Sequence, residues 1–276
     1  MPCEKIVAVM ADSRSAPITL TTDFGTVDPF VGIMKGVILG IHPGATIVDI
    51  THEIPPQDVT AGAYHLSNAW RHFPPATVHV VVVDPGVGSS RRAIAISSGG
   101  HRFVGPDNGV FTPVLSEPGW TAHEISSPRA FAAAPCPTFH GRDIFAPAAA
   151  HLARGVEIES LGKTIQDPVR LPLAAPRIDL GSILATVIHV DRFGNVVLNV
   201  EGTHLAQAMA GAEANTLSAR IGAREVAVFV THYAAAGGAP CLLINSDGRV
   251  EIAVPGGSAA ARFGLSRGAE VLIEVG

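Results

Sequence analysis

The stretch that decides the fold is Val80-Val81-Val82-Val83-Asp84-Pro85-Gly86-Val87-Gly88-Ser89-Ser90-Arg91-Arg92. Four consecutive valines without polar alternation predict a strand that is buried on both faces, as in the centre of a parallel sheet. Asp84 then lies at the carboxyl end of that strand, where open α/β sheets bind their ligands. Two glycines allow the chain to fold back and bring Arg91 or Arg92 towards Asp84. Alone, the stretch fits a surface ion pair in a turn equally well.

Segments with strand and helix character alternate around this stretch up to about residue 165. The alternation predicts an N-terminal α/β/α domain with a largely parallel central sheet. Hydrophobic periodicity and turn residues predict strands at 18–22, 46–50, 78–83, 93–97 and 101–104. The same criteria predict helices that begin at Asp28-Pro29 and end at 41, and that cover 58–72 and 143–154.

A change in composition predicts a second domain. Prolines 168, 172 and 176 interrupt a segment without clear periodicity, which is typical of a linker. We therefore expect an N-terminal domain over 1–170, a proline-rich linker over 171–181 and a smaller C-terminal domain over 182–276. Short strands are predicted in the last part, which favours an all-β barrel or sandwich; they are 183–190, 196–200, 217–221, 225–230, 241–244, 250–253 and 270–274.

Composition limits the class of protein. The chain has 276 residues, of which 47% are hydrophobic and 16% charged, as in compact globular proteins. A net charge of −5 without a basic block gives no support for a nucleic-acid partner. Cys3, Cys136 and Cys241 are odd in number and scattered, which favours a reducing compartment and excludes a disulfide scaffold. No apolar run is long enough to span a membrane, and the N-terminus does not resemble a signal peptide. We therefore expect a cytoplasmic protein without a membrane partner.

Two further groups of polar residues lie at predicted element ends in the first domain. Asp23 ends the first strand and Asp28 begins the next helix, where a carboxylate can accept hydrogen bonds from a ribose diol. Asp28 can equally be only a helix cap. Phe139-His140-Gly141-Arg142-Asp143 forms a turn that opens a helix, where free N–H groups favour negative charge. The turn over 106–110 is predicted to be mainly structural.

The second domain contains two candidate ligand turns, 190–195 and 244–248. A hairpin with a phenylalanine and an asparagine can stack on an adenine-sized ring and form hydrogen bonds with its edge. The same residues also occur in ordinary hairpin turns. Each turn taken alone is therefore weak evidence.

Six motifs, in their order along the chain, closely resemble the S-adenosylmethionine (SAM) hydroxide adenosyltransferase family, the water-using relatives of bacterial fluorinase and chlorinase. They are TTDFGTVDPFVGIMKG, VVDPGVGSSRR, PDNG, TFHGRDIFAPAAAHLA, IHVDRFGNVVLN and INSDGRVEIAV. The resemblance runs from about Ile18 to Val275. It implies an α/β domain, a β domain and a homotrimer, with each substrate site between one subunit's first domain and the next subunit's second domain.

The resemblance also implies an activity and a set of residues. The activity is hydrolysis of SAM by attack of water at the ribose C5′, which gives adenosine and L-methionine and requires no cofactor or metal, since SAM is the substrate. The implied catalytic set is Asp84, Arg91 and His140. The implied substrate-binding residues are Asp23 at the ribose, Asp28 at the methionine moiety, Phe139, and the contacts in the β domain, which are Asp191, Phe193, Asn195 and Ser246.

Three alternatives remain open at this stage. A chlorinase-like halogenase shares the motifs, although the halogenating members have an aromatic or other non-acidic residue at the position of Asp84. A non-catalytic sensor of an adenosyl ligand would have no need for the Asp–Arg–His set. A metal-dependent phosphoesterase could use carboxylates at strand ends together with histidines, and its candidate ligands are Asp23, Asp49, His52, Asp84 and His140.

Overall fold

The computed structural model describes residues 16–131, 134–209 and 216–275. The chain forms two compact units, of which the first ends at Leu171 and the second begins at Pro172. Each unit has its own β-sheet. Among the described residues, no helix is both long and apolar enough to cross a membrane.

The first unit is built on a seven-stranded sheet. Its strands are β1 (Ile18–Thr22), β2 (Ile47–Thr51), β3 (Val78–Val82), β4 (Ala93–Ser98), β5 (His101–Pro106), β6 (Thr121–Glu124) and β7 (Thr164–Ile165). They are arranged in the order β2-β1-β3-β5-β4-β6-β7. The first four in this order are parallel, and β4, β6 and β7 pair in antiparallel fashion. All five residues of β3 are buried, which confirms the prediction of a central strand from the valine run.

Helices cover both faces of this sheet. They are α1 (Phe30–Ile41), α2 (Val59–Ala69), α3 (Thr112–Leu115) and α4 (Ala146–Ala153), with single 3₁₀ turns at Trp70–His72 and Ile158–Leu161. Val80 and Val82 pack on the side of α1 and α4. Val81 packs on the opposite side against residues of α2 and α3. The α/β/α layering predicted from the sequence is therefore confirmed.

The start of α1 corrects the prediction that Asp28 caps this helix. Pro29 occupies the cap position, because its carbonyl accepts the first helical hydrogen bond from the amide of Ile33 at 2.9 Å. The helix begins one residue later than the predicted proline position, and Asp28 is exposed outside it. At α2 the side chain of Asp58 caps the helix, since it accepts a hydrogen bond from the amide of Ala61 at 2.9 Å.

The helix predicted over 143–154 is preceded by a turn of π-helix at Gly141–Phe145, and only then does α4 begin. The amide of Ala146 donates to the carbonyl of Gly141, five residues back. Pro147 explains the wide turn, because it has no N–H and its ring would clash with the carbonyl four residues before it. Single π turns of this kind occur frequently at functional sites.

The second unit contains an eight-stranded sheet. Its elements are β8 (Arg177–Asp179), β9 (Ser182–Val190), β10 (Val196–Glu201), β11 (Leu217–Ile221), β12 (Arg224–Val226), β13 (Cys241–Ile244), β14 (Arg249–Ala253) and β15 (Glu270–Val275), with α5 (Gly202–Ala208), α6 (Ala259–Phe263) and a 3₁₀ turn at Tyr233–Ala236. The order is β12-β11-β15-β9-β10-β14-β13, and β8 pairs with β9.

This sheet differs from the predicted strands and linker at two places. The strand predicted over 225–230 is short, because it ends at Val226 and the following residues pair with β13 instead. The amide of Leu242 donates to Val228 and the amide of Val230 donates to Leu242, at 2.8 and 2.9 Å. These bonds join the two ends of the strand order, so the sheet nearly closes into a barrel. Part of the segment predicted as a linker is also structured, since β8 belongs to this sheet.

A buried histidine pair lies beneath the 3₁₀ turn that follows α2. His79 Nδ1 lies 2.8 Å from the hydroxyl of Thr19, and His79 Nε2 lies 3.2 Å from His101 Nδ1. The ring of His79 stacks on Phe103. Burial, aided by the neighbouring His101, lowers the pKa of His79 to about 3, so His79 is neutral in the folded protein throughout the physiological range.

Because of this buried pair, we expect the first unit to lose stability in mild acid. The unfolded chain binds a proton at His79 near its ordinary pKa of about 6.5, and the folded chain does not. Stability from this group is therefore complete above about pH 6.5 and falls as the pH decreases towards 3. When the pH is lowered from about 7.5 to about 5, the free energy of unfolding of the wild type should fall by about 2 kcal/mol more than that of His79→Gln.

Urea unfolding followed by tryptophan fluorescence measures the effect selectively, because both tryptophans, Trp70 and Trp120, belong to the first unit. His72→Gln is the matched control, since His72 is exposed. An unchanged pH dependence in His79→Gln would contradict this assignment.

Candidate active site

The turn after β3 forms a buried ion pair. Arg91 Nε donates to Asp84 Oδ1 at 2.9 Å, and Arg91 Nη2 donates to Asp84 Oδ2. The two side chains are only 10% and 5% exposed, respectively. The sequence left Arg91 and Arg92 as possible partners of Asp84, and Arg91 forms the pair. Arg92 instead pairs with Asp107 and Asp167.

His140 completes a chain of three side chains. Arg91 Nη2 lies 2.5 Å from His140 Nδ1. Because a guanidinium can only donate, His140 Nδ1 must accept, and the proton of the neutral ring is then on Nε2. Burial and the positive charge of Arg91 lower the pKa of His140, whereas Asp84 and Asp143 oppose this effect. The ring is therefore neutral near pH 7 and presents an N–H donor.

Close packing of two loops holds this arrangement. Gly88 has a φ of +78°, and a Cβ at this position would lie 2.5 Å from the carbonyl oxygen of Pro137. Only glycine tolerates both the backbone angle and the contact. The turn between Asp84 and Arg91 therefore rests directly on the loop that carries His140.

Three phenylalanines lie next to this loop. Phe139 contacts Phe24 and Phe30 edge to face, with ring centroids 6.1 and 5.4 Å apart. Phe24 follows β1 and Phe30 begins α1, so the cluster joins three segments at the carboxyl edge of the sheet. Phe30 remains 41% exposed. Phe139 therefore stands beside His140 as part of an aromatic surface that is open to solvent.

Asp23 lies at the same edge of the sheet. Its Oδ2 accepts a hydrogen bond from the backbone amide of Gln57 at 2.7 Å. Gln57 has a φ of +65°, a conformation that is rare for residues other than glycine and that occurs often at functional sites. Within the described residues, Oδ1 of Asp23 has no hydrogen bond. Asp28 lies in the loop between β1 and α1 and is exposed.

Two of the residues proposed as metal ligands, Asp49 and His52, contact each other, and each also has another partner. Asp49 accepts a hydrogen bond from Lys35 at 2.6 Å, and His52 Nδ1 lies 2.9 Å from the hydroxyl of Thr22. His52 Nε2 lies 3.1 Å from Asp49. Among the described parts of the chain, no three histidine, cysteine or acidic side chains come together as a metal-binding group.

The second unit contains the other candidate residues. Asp191 Oδ1 accepts hydrogen bonds from the amides of Phe193 and Asn195 at 2.9 and 2.8 Å. Its Oδ2 accepts a hydrogen bond from Asn195 Nδ2 at 3.0 Å. Asn195 is buried, whereas Phe193 is 77% exposed. The turn is thus rigid at its base and presents an aromatic ring to solvent.

Ser246 is exposed on the turn between β13 and β14. Asn245 shapes this turn, because its side-chain oxygen accepts hydrogen bonds from the amides of Asp247 and Arg249. The buried carboxylate of Glu251 in turn accepts hydrogen bonds from Asn245 Nδ2 at 3.3 Å and from the hydroxyl of Tyr233 at 2.8 Å. Burial raises the pKa of Glu251, and burial together with Glu251 raises the pKa of Tyr233 to about 12.

The structure therefore brings Asp84, Arg91 and His140 into one hydrogen-bonded chain, with Phe139 next to it. It places the candidate residues of the second half of the chain on two turns of the second unit. Glu251 and Tyr233, which support the turn that carries Ser246, are not among the residues predicted from the sequence. For Glu251 a signal was present, because a charged residue stands between apolar neighbours in the predicted strand at 250–253.

Two family models match the chain. The N-terminal domain of the SAM hydroxide adenosyltransferases matches residues 18–162, and the C-terminal domain matches residues 185–272. A relative named (R)-S-adenosyl-L-methionine hydrolase from Thermus thermophilus is 40% identical over 265 residues, which cover 92% of this chain and 98% of the relative. A fluorinase from Actinoplanes sp. is 31% identical over 290 residues, with 93% and 96% covered.

A solved structure is also similar. The crystal structure of a conserved protein from Thermotoga maritima superimposes with a TM-score of 0.86 at 37% identity and covers 93% of this chain and 99% of that chain. The family models together span most of both units, and the relatives match nearly the whole chain. The chain therefore belongs to the SAM hydroxide adenosyltransferase family.

Proposed function

We propose that this protein hydrolyses SAM to adenosine and L-methionine by attack of water at the ribose C5′. The observation that carries the proposal is the buried Asp84–Arg91–His140 chain in a member of this family. Relatives at about 40% identity bear the name (R)-S-adenosyl-L-methionine hydrolase. The three side chains are grouped where a water molecule can be oriented and deprotonated.

The chemical problem in this reaction is the nucleophile. The sulfonium is already a good leaving group and requires no protonation, whereas ionising water, with a pKa of about 15.7, costs about 12 kcal/mol at pH 7. A carboxylate is too weak a base to supply this alone. Asp84 therefore orients the water and accepts its proton late in the reaction, while Arg91 and the Nε2–H of His140 stabilise the developing hydroxide. Placement of the water in line with C5′ supplies much of the remainder.

The negative charge of Asp84 also determines which nucleophile is used. A fixed carboxylate repels chloride or fluoride but accepts a hydrogen bond from water. Arg91 compensates the charge of Asp84 through two hydrogen bonds, so little positive potential is left for a halide. We therefore assign water as the nucleophile in preference to a halide ion.

We assign the first unit's part of substrate binding to Asp23, Asp28 and Phe139. The unbonded Oδ1 of Asp23 is a suitable acceptor for a ribose hydroxyl. Phe139 offers an aromatic surface beside His140, and Asp28 offers an exposed carboxylate for the amino group of the methionine moiety. This assignment requires no metal ion, because the leaving group is neutral after the reaction and the nucleophile is handled by side chains.

We assign adenine and methionine contacts in the second unit to Asp191, Phe193, Asn195 and Ser246. In the trimer that we propose, they serve the first unit of a neighbouring subunit. Large apolar side chains are exposed within the ligand motifs of both units, such as Val27 at 97% and Phe193 at 77%, as expected for surfaces that a partner or ligand covers. Contacts between two different surfaces form a ring when the rotation from one subunit to the next closes. The free thiols of Cys136 and Cys241 favour a cytoplasmic location.

The products test the reaction directly. Purified protein incubated with SAM in water enriched in ¹⁸O should release L-methionine and adenosine that carries the label in its 5′-hydroxyl. EDTA should leave the rate unchanged. Mass spectrometry of the products is the measurement. Unchanged SAM, an unlabelled adenosine or a rate restored only by a divalent ion would each refute the proposal.

Single substitutions separate catalysis from binding. Asp84→Ala and His140→Ala should abolish most turnover with little change in affinity, because both side chains act on the water. Asp23→Ala should first weaken binding, since ribose hydrogen bonds to a charged acceptor contribute about 1.5–3 kcal/mol each. Calorimetric affinities and initial rates are compared with those of Glu159→Ala, an exposed control in the same unit. Equal losses of affinity in all three variants would contradict these roles.

Mixed oligomers test whether sites are shared. Asp84→Ala inactivates the first unit and Asn195→Ala the second. After reversible dissociation and mixing, shared sites should recover part of the activity, because some interfaces then carry neither substitution. If each chain forms its own site, every subunit keeps its defect and no activity returns.

A further inference from the structure

The loop that carries His140 closes on a buried carboxylate. Asp143 is only 7% exposed, and its Oδ2 accepts a hydrogen bond from the backbone amide of Cys136 at 2.8 Å. Arg142 donates to both carboxylate oxygens, at 2.6 Å from Nε and 2.8 Å from Nη2. Asp143 therefore ties the beginning of the loop to its end.

Backbone bonds complete the same ring. The amide of Phe139 donates to the carbonyl of Cys136 at 3.2 Å, and the amide of Asp143 donates to the carbonyl of Phe139 at 3.1 Å. The guanidinium of Arg142, oriented by Asp143, lies 5.2 Å from the centroid of the Phe139 ring. The orientation of Phe139 and the position of His140 thus both depend on contacts made by Asp143.

Asp143 also contributes to the charge around His140. The groups that act on the imidazole are Arg91, which lowers its pKa, and the carboxylates Asp84 and Asp143, which raise it. Asp84 is already bound by Arg91 through two hydrogen bonds. The negative charge of Asp143, at the end of the loop that carries His140, also acts on the imidazole.

We propose that Asp143 is a positioning residue of the active site, which holds the loop over 136–143 so that His140 Nδ1 meets Arg91 and Nε2–H faces the water. The catalytic part of this inference rests on the proposed hydrolysis of SAM. Asp143 acts through His140 and Phe139. Its carboxylate accepts two hydrogen bonds from Arg142 and one from the Cys136 amide, and it is assigned no role as a base.

The chain offers a matched control for the test. Asp107 is also buried, accepts a hydrogen bond from Arg92 Nε at 2.7 Å and accepts another from the backbone amide of Val169 at 2.7 Å. Asp107→Asn and Asp143→Asn therefore remove the same kind of carboxylate, each paired with an arginine and a backbone amide. Only Asp143 belongs to the loop that carries His140.

Two measurements are made on the wild type and both variants. The first is the pH profile of kcat with SAM. Asp143→Asn should lower kcat roughly tenfold to a hundredfold, as for a small displacement of a reacting group, with a smaller change in KM. The acid limb of the profile should move to lower pH, because His140 loses a charge that favours its protonated form. Asp107→Asn should keep the wild-type kcat and profile.

The second measurement does not depend on turnover. The ¹⁵N shifts of His140, assigned by comparison with His140→Gln, report its tautomer and its titration. The wild type should show the Nε2–H form, and Asp143→Asn should show a mixture of tautomers and a titration at lower pH. Asp107→Asn should match the wild type. Wild-type tautomer and titration in folded Asp143→Asn, or equal changes in both variants, would overturn the proposal. If His140 responds as expected but the wild type leaves SAM intact, the positioning role stands and the proposed function fails.

Discussion

The ion pair between Asp84 and Arg91 is the interaction on which the site depends. Both side chains are buried, and leaving one of them without its partner costs about 3–5 kcal/mol in such an environment. Arg91 also donates to His140 and to the carbonyl of Arg92. One guanidinium thus fixes the turn after β3, the tautomer of a histidine from a distant loop and the charge of the pocket.

The parallel sheet determines where this ion pair can form. The carboxyl ends of β1 and β3 lie at one edge of the sheet, so Asp23 and Asp84 come from distant segments to the same region, where Gln57 donates to Asp23. The opposite end of the same sheet contains the buried pair His79–His101. The two ends therefore carry different polar networks, of which one is sealed in the core and the other borders solvent. A substitution in the first changes the stability of the unit, whereas a substitution in the second also changes the chemistry available at the edge.

The sequence was most informative where a feature depends on neighbouring residues. The valine run identified the central strand, because burial on both faces requires uninterrupted apolar residues, and glycines after Asp84 indicated the return of Arg91. The π turn before α4 was not predicted, since it depends on a bond five residues apart and on the clash of Pro147 with the preceding turn. The sequence predicted a barrel or sandwich for the second domain, but not that Val228–Val230 would pair with β13 or that Tyr233 would bind Glu251, because these contacts join separate segments of the chain. Asp28 was expected to cap α1, but the first helical hydrogen bond runs from the amide of Ile33 to the carbonyl of Pro29, so Pro29 is the cap residue.

The distribution of charge in the first unit supports the proposal that its site favours a cationic substrate and water together. Asp23 and Asp28 leave carboxylate oxygens available at the edge of the sheet, whereas the charge of Asp84 is compensated by Arg91. In the proposed mechanism, a sulfonium ion is attracted to these carboxylates, while the proposed position of the nucleophile has a paired carboxylate that hydrogen bonds to water. An uncompensated arginine at the same place would attract a halide, and an uncompensated aspartate would stabilise the sulfonium before reaction and slow its departure. In the proposed mechanism, the pairing of Asp84 with Arg91 avoids both effects, and the carboxylate beside the nucleophile favours water over a halide.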